Sequence, residues 1–246
     1  VTGVLDGEVN GAALEASGES WPVSALRDWV PETVQQHVNS DLVLTKFWLT
    51  GNWQGQQLTL NAAKANIDSG SLQASGSYGM DSGALQASGS WSGLDPARLT
   101  PDMDGQLWQG ETSGSINVEG NAKTQAWQAQ ASATADAAQL GGVPVSALQA
   151  EGSLNTDGLL LASASGNVAG GSFFANGGKS ARIVAGHLEL AGVQLAALAA
   201  PFNVSADGVG QLAADVRGTP EEKKKKKTLA AQDGKLTAQP ITLAKA

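Results

Sequence analysis

Ser71-Leu72-Gln73-Ala74-Ser75-Gly76-Ser77-Tyr78 places Leu72, Ala74, Gly76 and Tyr78 at every second position, with Ser71, Gln73, Ser75 and Ser77 between them. Successive side chains of a strand point to opposite faces, so this stretch reads as a strand with one apolar and one wet side. Leu85, Ala87, Gly89 and Trp91 repeat the pattern thirteen positions on (85 − 72 = 13). Leu14, Ala16 and Gly18 show it near the start, and Ile116, Val118 and Gly120 in the middle. Leu148, Ala150, Gly152 and Leu154 follow, then Leu212, Ala214, Val216 and Gly218. Asp-Gly pairs at 6–7, 104–105, 157–158, 207–208 and 233–234 tolerate the positive φ of tight turns and predict antiparallel hairpins.

Composition agrees with a β protein of small side chains. The 246 residues include 31 glycines and no cysteine, and only 15% are charged, against about 25% in an ordinary soluble domain. Glycine has no triplet period, which excludes collagen, and the recurring apolar positions argue against disorder. A net charge of −8 repels phosphate backbones, so no nucleic-acid partner is expected. The absence of cysteine removes disulfides, thiolate metal sites and cysteine nucleophiles together. The apolar stretch 188–204 is interrupted by Glu189, Gln194, Pro201 and Asn203, too often for a membrane span.

One amphipathic helix candidate covers residues 22–38, where Val23, Leu26, Val30 and Val34 share a stripe; Pro31 divides it into one or two short helices. Lys223 to Lys227 form the one basic run and read as a solvated loop, with anionic lipid as the sharper alternative.

Chemistry-bearing patterns are sparse. His37 and His187 are the two histidines, and neither belongs to a triad-like arrangement. The glycine-rich stretch 166–178 lacks the Gly-Lys-Ser/Thr ending of a phosphate loop, and Asp102-Met103-Asp104-Gly105 lacks the later glutamate of a calcium loop. No catalytic residue, metal site or cofactor is expected. Trp48, Trp53, Trp91, Trp108 and Trp127 read as core or sheet-rim packing, with sugar stacking as the rival.

Repeated elements lie at about 23–53, 92–122 and 191–220: an apolar lead, a proline, a polar gap, then alternation ending in glycine. The run Ala191-Gly192-Val193-Gln194-Leu195-Ala196-Ala197-Leu198, then Pro201-Phe202, then 206–212 through Arg217-Gly218-Thr219-Pro220, resembles a recurring element of the TamB-like family within the AsmA-like superfamily. Ser92-Gly93-Leu94 through Gly120-Asn121 resembles a second copy, though it lacks the closing Gly-Thr-x-x-Pro. That resemblance implies a sheet folded lengthwise into a β-taco-like trough with an apolar interior. It also implies a Gram-negative periplasmic location, tethered to the inner membrane by a segment absent from this chain. The implied partners are phospholipid and an outer-membrane barrel of the Omp85 type (TamA-like), and the implied role is lipid transport and outer-membrane assembly.

The residues argue towards the same place independently. An apolar sheet face must be buried, and one helix candidate is too little to cover a dozen strands. The expectation is a mostly β chain, 1–246, forming one elongated domain of a longer protein, its long antiparallel sheet curled into an open trough. Leu72, Leu85, Ile116, Val118, Leu148, Leu154, Leu212 and Val216 are expected to line it and hold lipid acyl chains without catalysis. The alternatives are a closed core made of those residues, and a structural or adhesin-like β module without a lipid ligand.

Overall fold

A computed structural model of the chain describes residues 2–5, 11–22, 39, 41–99, 108–156, 158, 160–180 and 183–218. Pro22, the first residue of the helix candidate at 22–38, ends a strand; the rest of that candidate and the lysine run at 223–227 lie outside the described residues, as do the Asp-Gly pairs at 6–7, 104–105 and 233–234. The described residues form strands β1 (Thr2–Leu5), β2 (Gly11–Pro22), β3 (Val43–Gln54), β4 (Gln57–Ile67), β5 (Gly70–Gly79) and β6 (Ala84–Leu94). Helix α1 (Pro96–Leu99) follows, then β7 (Trp108–Gln109), β8 (Thr112–Asn121), β9 (Ala126–Leu140), β10 (Val143–Asn155), β11 (Leu160–Val168), β12 (Gly171–Lys179) and β13 (Val184–Gln194). Helix α2 (Leu195–Ala199), a 3-10 turn (Ala200–Phe202) and β14 (Val209–Gly218) complete the order.

Every pairing is antiparallel, and thirteen strands follow one another in sequence order; β7 pairs with β9 alongside β8. The sheet does not close: β1 and β14 are its two ends. The tight turns come only partly from the expected pairs. Gly141-Gly142 (φ 58° and 81°) and Ala169-Gly170 (φ 48° and 79°) supply the consecutive left-handed residues that match the twist of flanking strands. Gly158 does end a turn, its N–H donating to the Asn155 carbonyl. Asp207-Gly208 is different: it ends the long connection after α2, where the Gly208 carbonyl accepts the Leu195 N–H.

Paired residues of an antiparallel sheet project to the same side, so the register defines two faces. The strand between Leu160 and Val168 shows the contrast: Leu160, Ala162, Ala164, Gly166 and Val168 share one face, and Leu161, Ser163, Ser165 and Asn167 the other. Bulges interrupt the alternation. Register shifts fall between Leu44 and Lys46, Leu60 and Ala63, Trp91 and Leu94, Ser146 and Gln149, and Leu190 and Val193. Each extra residue re-aims the strand so that its apolar set stays on one side.

Packing is uneven between the two ends of the strands. The long connections after Pro22, Leu94 and Gln194 all leave from the same end, fixed by the pairs Pro22–Val43, Leu94–Thr112 and Gln194–Val209. Both buried clusters lie there. One joins Leu42, Leu44, Ile67 and Leu94; the other joins Ala135, Ala138, Val145, Val168 and Val193, with Trp108 and Leu198 against it. The helices are short but anchored. Asp95 caps α1, its Oδ1 accepting the Ala97 N–H, with Pro96 at the first helical position. Leu195 and Leu198 of α2 face Gly210 and the second cluster.

Candidate functional site

Following partners strand by strand produces unbroken rows across the sheet. One reads Ala16, Leu49, Ala63, Ala74, Gly89, Ile116, Ala131, Gly152, Ala162, Gly177, Gly186, Val216. Alanine and glycine dominate it. At about 4.8 Å per strand, this low floor runs about 50 Å at right angles to the strands. The neighbouring row towards the helix end holds Phe47, Leu72, Trp91 and Leu188 among small residues. At the hairpin end the border is made of larger residues: Trp53, Leu58, Tyr78 and Leu85 in direct succession, then Trp127, and beyond it Leu154, Leu160, Lys179 and Val184 in succession.

All eight residues expected to line the trough fall on this one face, including Leu148 next to the Ala147 bulge and Leu212 just before the register shift at Gly192. They do not form a closed core. Ile116, Leu154 and Val216 stand exposed, Val216 at 59%, and among the described residues no second layer covers them. Lys179 is the one charged residue on the face among the described strands. Thr112 is its one buried polar residue, and it is satisfied twice: its hydroxyl accepts the Trp91 Nε1–H and donates to the Leu94 carbonyl.

Aromatic rings flatten the surface. The Trp91 ring lies where Gly114 lacks a side chain, Phe47 lies over Gly18, and Phe173 over Gly166. A cross-strand glycine thus receives the ring of its partner. Trp53, Trp91, Trp108 and Trp127 belong to the apolar face, as rim or packing residues. Trp48 alone of the five sits on the polar face, a position that its residue type does not reveal.

The polar face is a field of hydroxyls and amides. Ser75 and Ser88 share a hydrogen bond of 2.8 Å across β5 and β6, and Ser115 and Ser132 one of 3.1 Å across β8 and β9. His187 sits between two carboxylates. Its Nδ1 lies 2.6 Å from Asp215 and its Nε2 2.9 Å from Glu189, and these carboxylates raise its pKa. Open depressions of about 820 and 1240 Å³ also lie on the polar side, bordered by Asn117, Gln130, Glu151 and Asn176, and by Gln139, Ser146, Asn167 and Ser172. The relief of the apolar side comes instead from the contrast between small floor residues and large border residues. No group of three or more His, Asp or Glu suited to a metal occurs among the described residues.

Compared with known proteins, the chain matches no family model, no curated protein and no solved structure, so the resemblance to TamB-like proteins has no support from these comparisons.

Proposed function

We propose that the apolar face binds lipid acyl chains, without catalysis, as a module that carries phospholipid between membranes. The observation that carries this reading is the apolar face spanning the sheet from β2 to β14, which no second layer covers among the described residues. The largest apolar patch of an ordinary monomer is about 300–600 Å². A face about 50 Å long and several alternate residues wide exceeds that, and water contact over such an area favours an apolar partner.

Acyl chains suit the floor. Each methylene removed from water contributes about 0.8 kcal/mol, so affinity accumulates along a tail without specific polar contacts. The floor has no side chain larger than Ala between Ala131 and Gly186. A tail moving along it meets only small steps, which suits transfer more than storage. The sequence likeness to TamB-like elements extends the proposal to a periplasmic setting, with an outer-membrane Omp85-type barrel (TamA-like) as partner in outer-membrane assembly.

Native mass spectrometry of the purified chain tests the reading, with phosphatidylethanolamine supplied from vesicles. A bound phospholipid is expected, and it should be lost in the double variant Ile116→Asp with Leu154→Asp. Both side chains are exposed, so the β signal in circular dichroism should persist. Undiminished capture by a folded double variant overturns the assignment.

A further inference from the structure

The polar face carries a feature that lipid binding does not use. Phe174 of β12 points to the wet side, paired with Ser165 and Glu189, and is 40% exposed. Folding gains little from a ring placed there, because its neighbour Phe173 already serves the apolar face. Two positions before it, Ser172 borders the larger depression, which is lined mostly by Ala, Gly, Val and Pro; two positions after it, Asn176 borders the other, more polar one. Phe174 and Ser165 therefore stand between the two, on one continuous surface that crosses β9 to β13, about 20 Å at ordinary strand spacing.

The lining has a consistent chemistry. Asn117, Gln130, Asn176, Ser132, Ser153 and Ser163 border the smaller depression, and amides and hydroxyls both donate and accept hydrogen bonds. Glu151 in that lining and Glu189 opposite Phe174 are both acidic, so a phosphate or other anion is not favoured. Leu161, 53% exposed, adds an apolar wall on the same side. A ligand matching this set is neutral, rich in hydroxyls, extended, and has a flat apolar face to lay on a ring.

We propose that Phe174, with the amide- and hydroxyl-lined depression beside Asn176, binds a neutral oligosaccharide on the face opposite the apolar one. The ring packs against the C–H face of one sugar, Asn176 hydrogen-bonds that sugar's hydroxyls, and Gln130, three strands away, those of a sugar further along the chain. Such ring contacts combine area burial with geometric preference, and waters bridge the remaining hydroxyls.

Titration of the full chain with cellotetraose and with N-acetylglucosamine tetramer, followed by calorimetry and tryptophan-independent NMR line broadening, tests this. Saturable binding of at least one tetramer is expected, weakened tenfold or more in Phe174→Ala, weakened less in Asn176→Ala, and retained in Phe174→Trp. Circular dichroism confirms that the variants fold. Absence of saturable binding to both tetramers, or equal binding by wild type and folded Phe174→Ala, overturns the proposal. Lipid capture is expected to be unchanged in Phe174→Ala, so this site and the acyl site fail or succeed separately.

Discussion

Three residues show how the apolar face is made smooth without being filled. Gly114 gives its place to the Trp91 ring, and an added Cβ would also meet the Ser132 carbonyl oxygen. Gly114→Ala should therefore destabilise the fold by about 1–3 kcal/mol, the usual cost of overpacking, read as a lower midpoint in urea. Thr112→Val should cost about 1–3 kcal/mol, because it leaves the Trp91 N–H without its acceptor. Alternation in the sequence revealed which residues share a face; it did not reveal which ring covers which glycine. That depends on register, and register depends on bulges such as Ala147, whose left-handed φ of 49° has no signature in its residue type. Leu161 and Phe174 escaped for the opposite reason: like Trp48, they are apolar residues on the wet side and contradict the alternation from which the apolar face was read.

At the scale of elements, the repeats read from sequence acquire a structural meaning. In β6, Gly93 (φ 63°) precedes Leu94, which is 2% exposed, and α1 follows. In β13, Gly192 (φ 67°) precedes Val193, also 2% exposed, and α2 follows. Each unit is a bulge, a buried aliphatic, a short helix and a returning strand. Ser20 (φ 56°) holds a similar left-handed position before Trp21, which is 42% exposed rather than buried. The short helices were hidden because four or five residues cannot display a helical period, and the proline and aliphatic lead were the only clues. The two parts of the motif should fail differently. Nothing lies within 4 Å of a Cβ at Gly192, so Gly192→Ala carries only the left-handed penalty of about 1–2 kcal/mol. Leu94→Ala opens a cavity and should cost about 2–5 kcal/mol. Thermal denaturation of both variants checks the order, and a Gly192→Ala change costing more than Leu94→Ala contradicts this account.

The pairing of the last two strands adds a titratable link. His187 of β13 contacts Asp215 of β14 and Glu189 beside it, with Asn176 opposite on β12 and Arg217 further along β14. The carboxylates raise the histidine's pKa above 6.5. Protonated His187 therefore stabilises the folded state fully below about pH 6.5, and that contribution is lost as pH rises through the raised value. Hydrogen exchange of β14 amides should accelerate across this window relative to His187→Gln, and an identical pH dependence in the two proteins contradicts the link.

For the whole molecule, the decisive fact is that each strand packs mainly on its sequence neighbours. A sheet that never closes and has no second layer among the described residues gains stability pair by pair, as a stacked repeat does. The buried clusters lie at the helix end, one around Leu44 and Leu94 and the other around Val145 and Val193. The border residues Trp53, Trp127, Leu154 and Val184 at the hairpin end remain partly in water. Stability should follow that gradient, because local opening is easiest where few apolar contacts form. Hydrogen exchange is expected to be slowest for amides near Val145, Val168 and Val193, and faster for those near Leu154, Leu160 and Val184 on the same strands. Added phospholipid should slow exchange at the hairpin end most, since that is where a bound tail supplies the missing apolar contact. Uniform protection along each strand, unchanged by lipid, would mean that the exposed border is already as stable as the clusters, and the face would then have no need of a ligand.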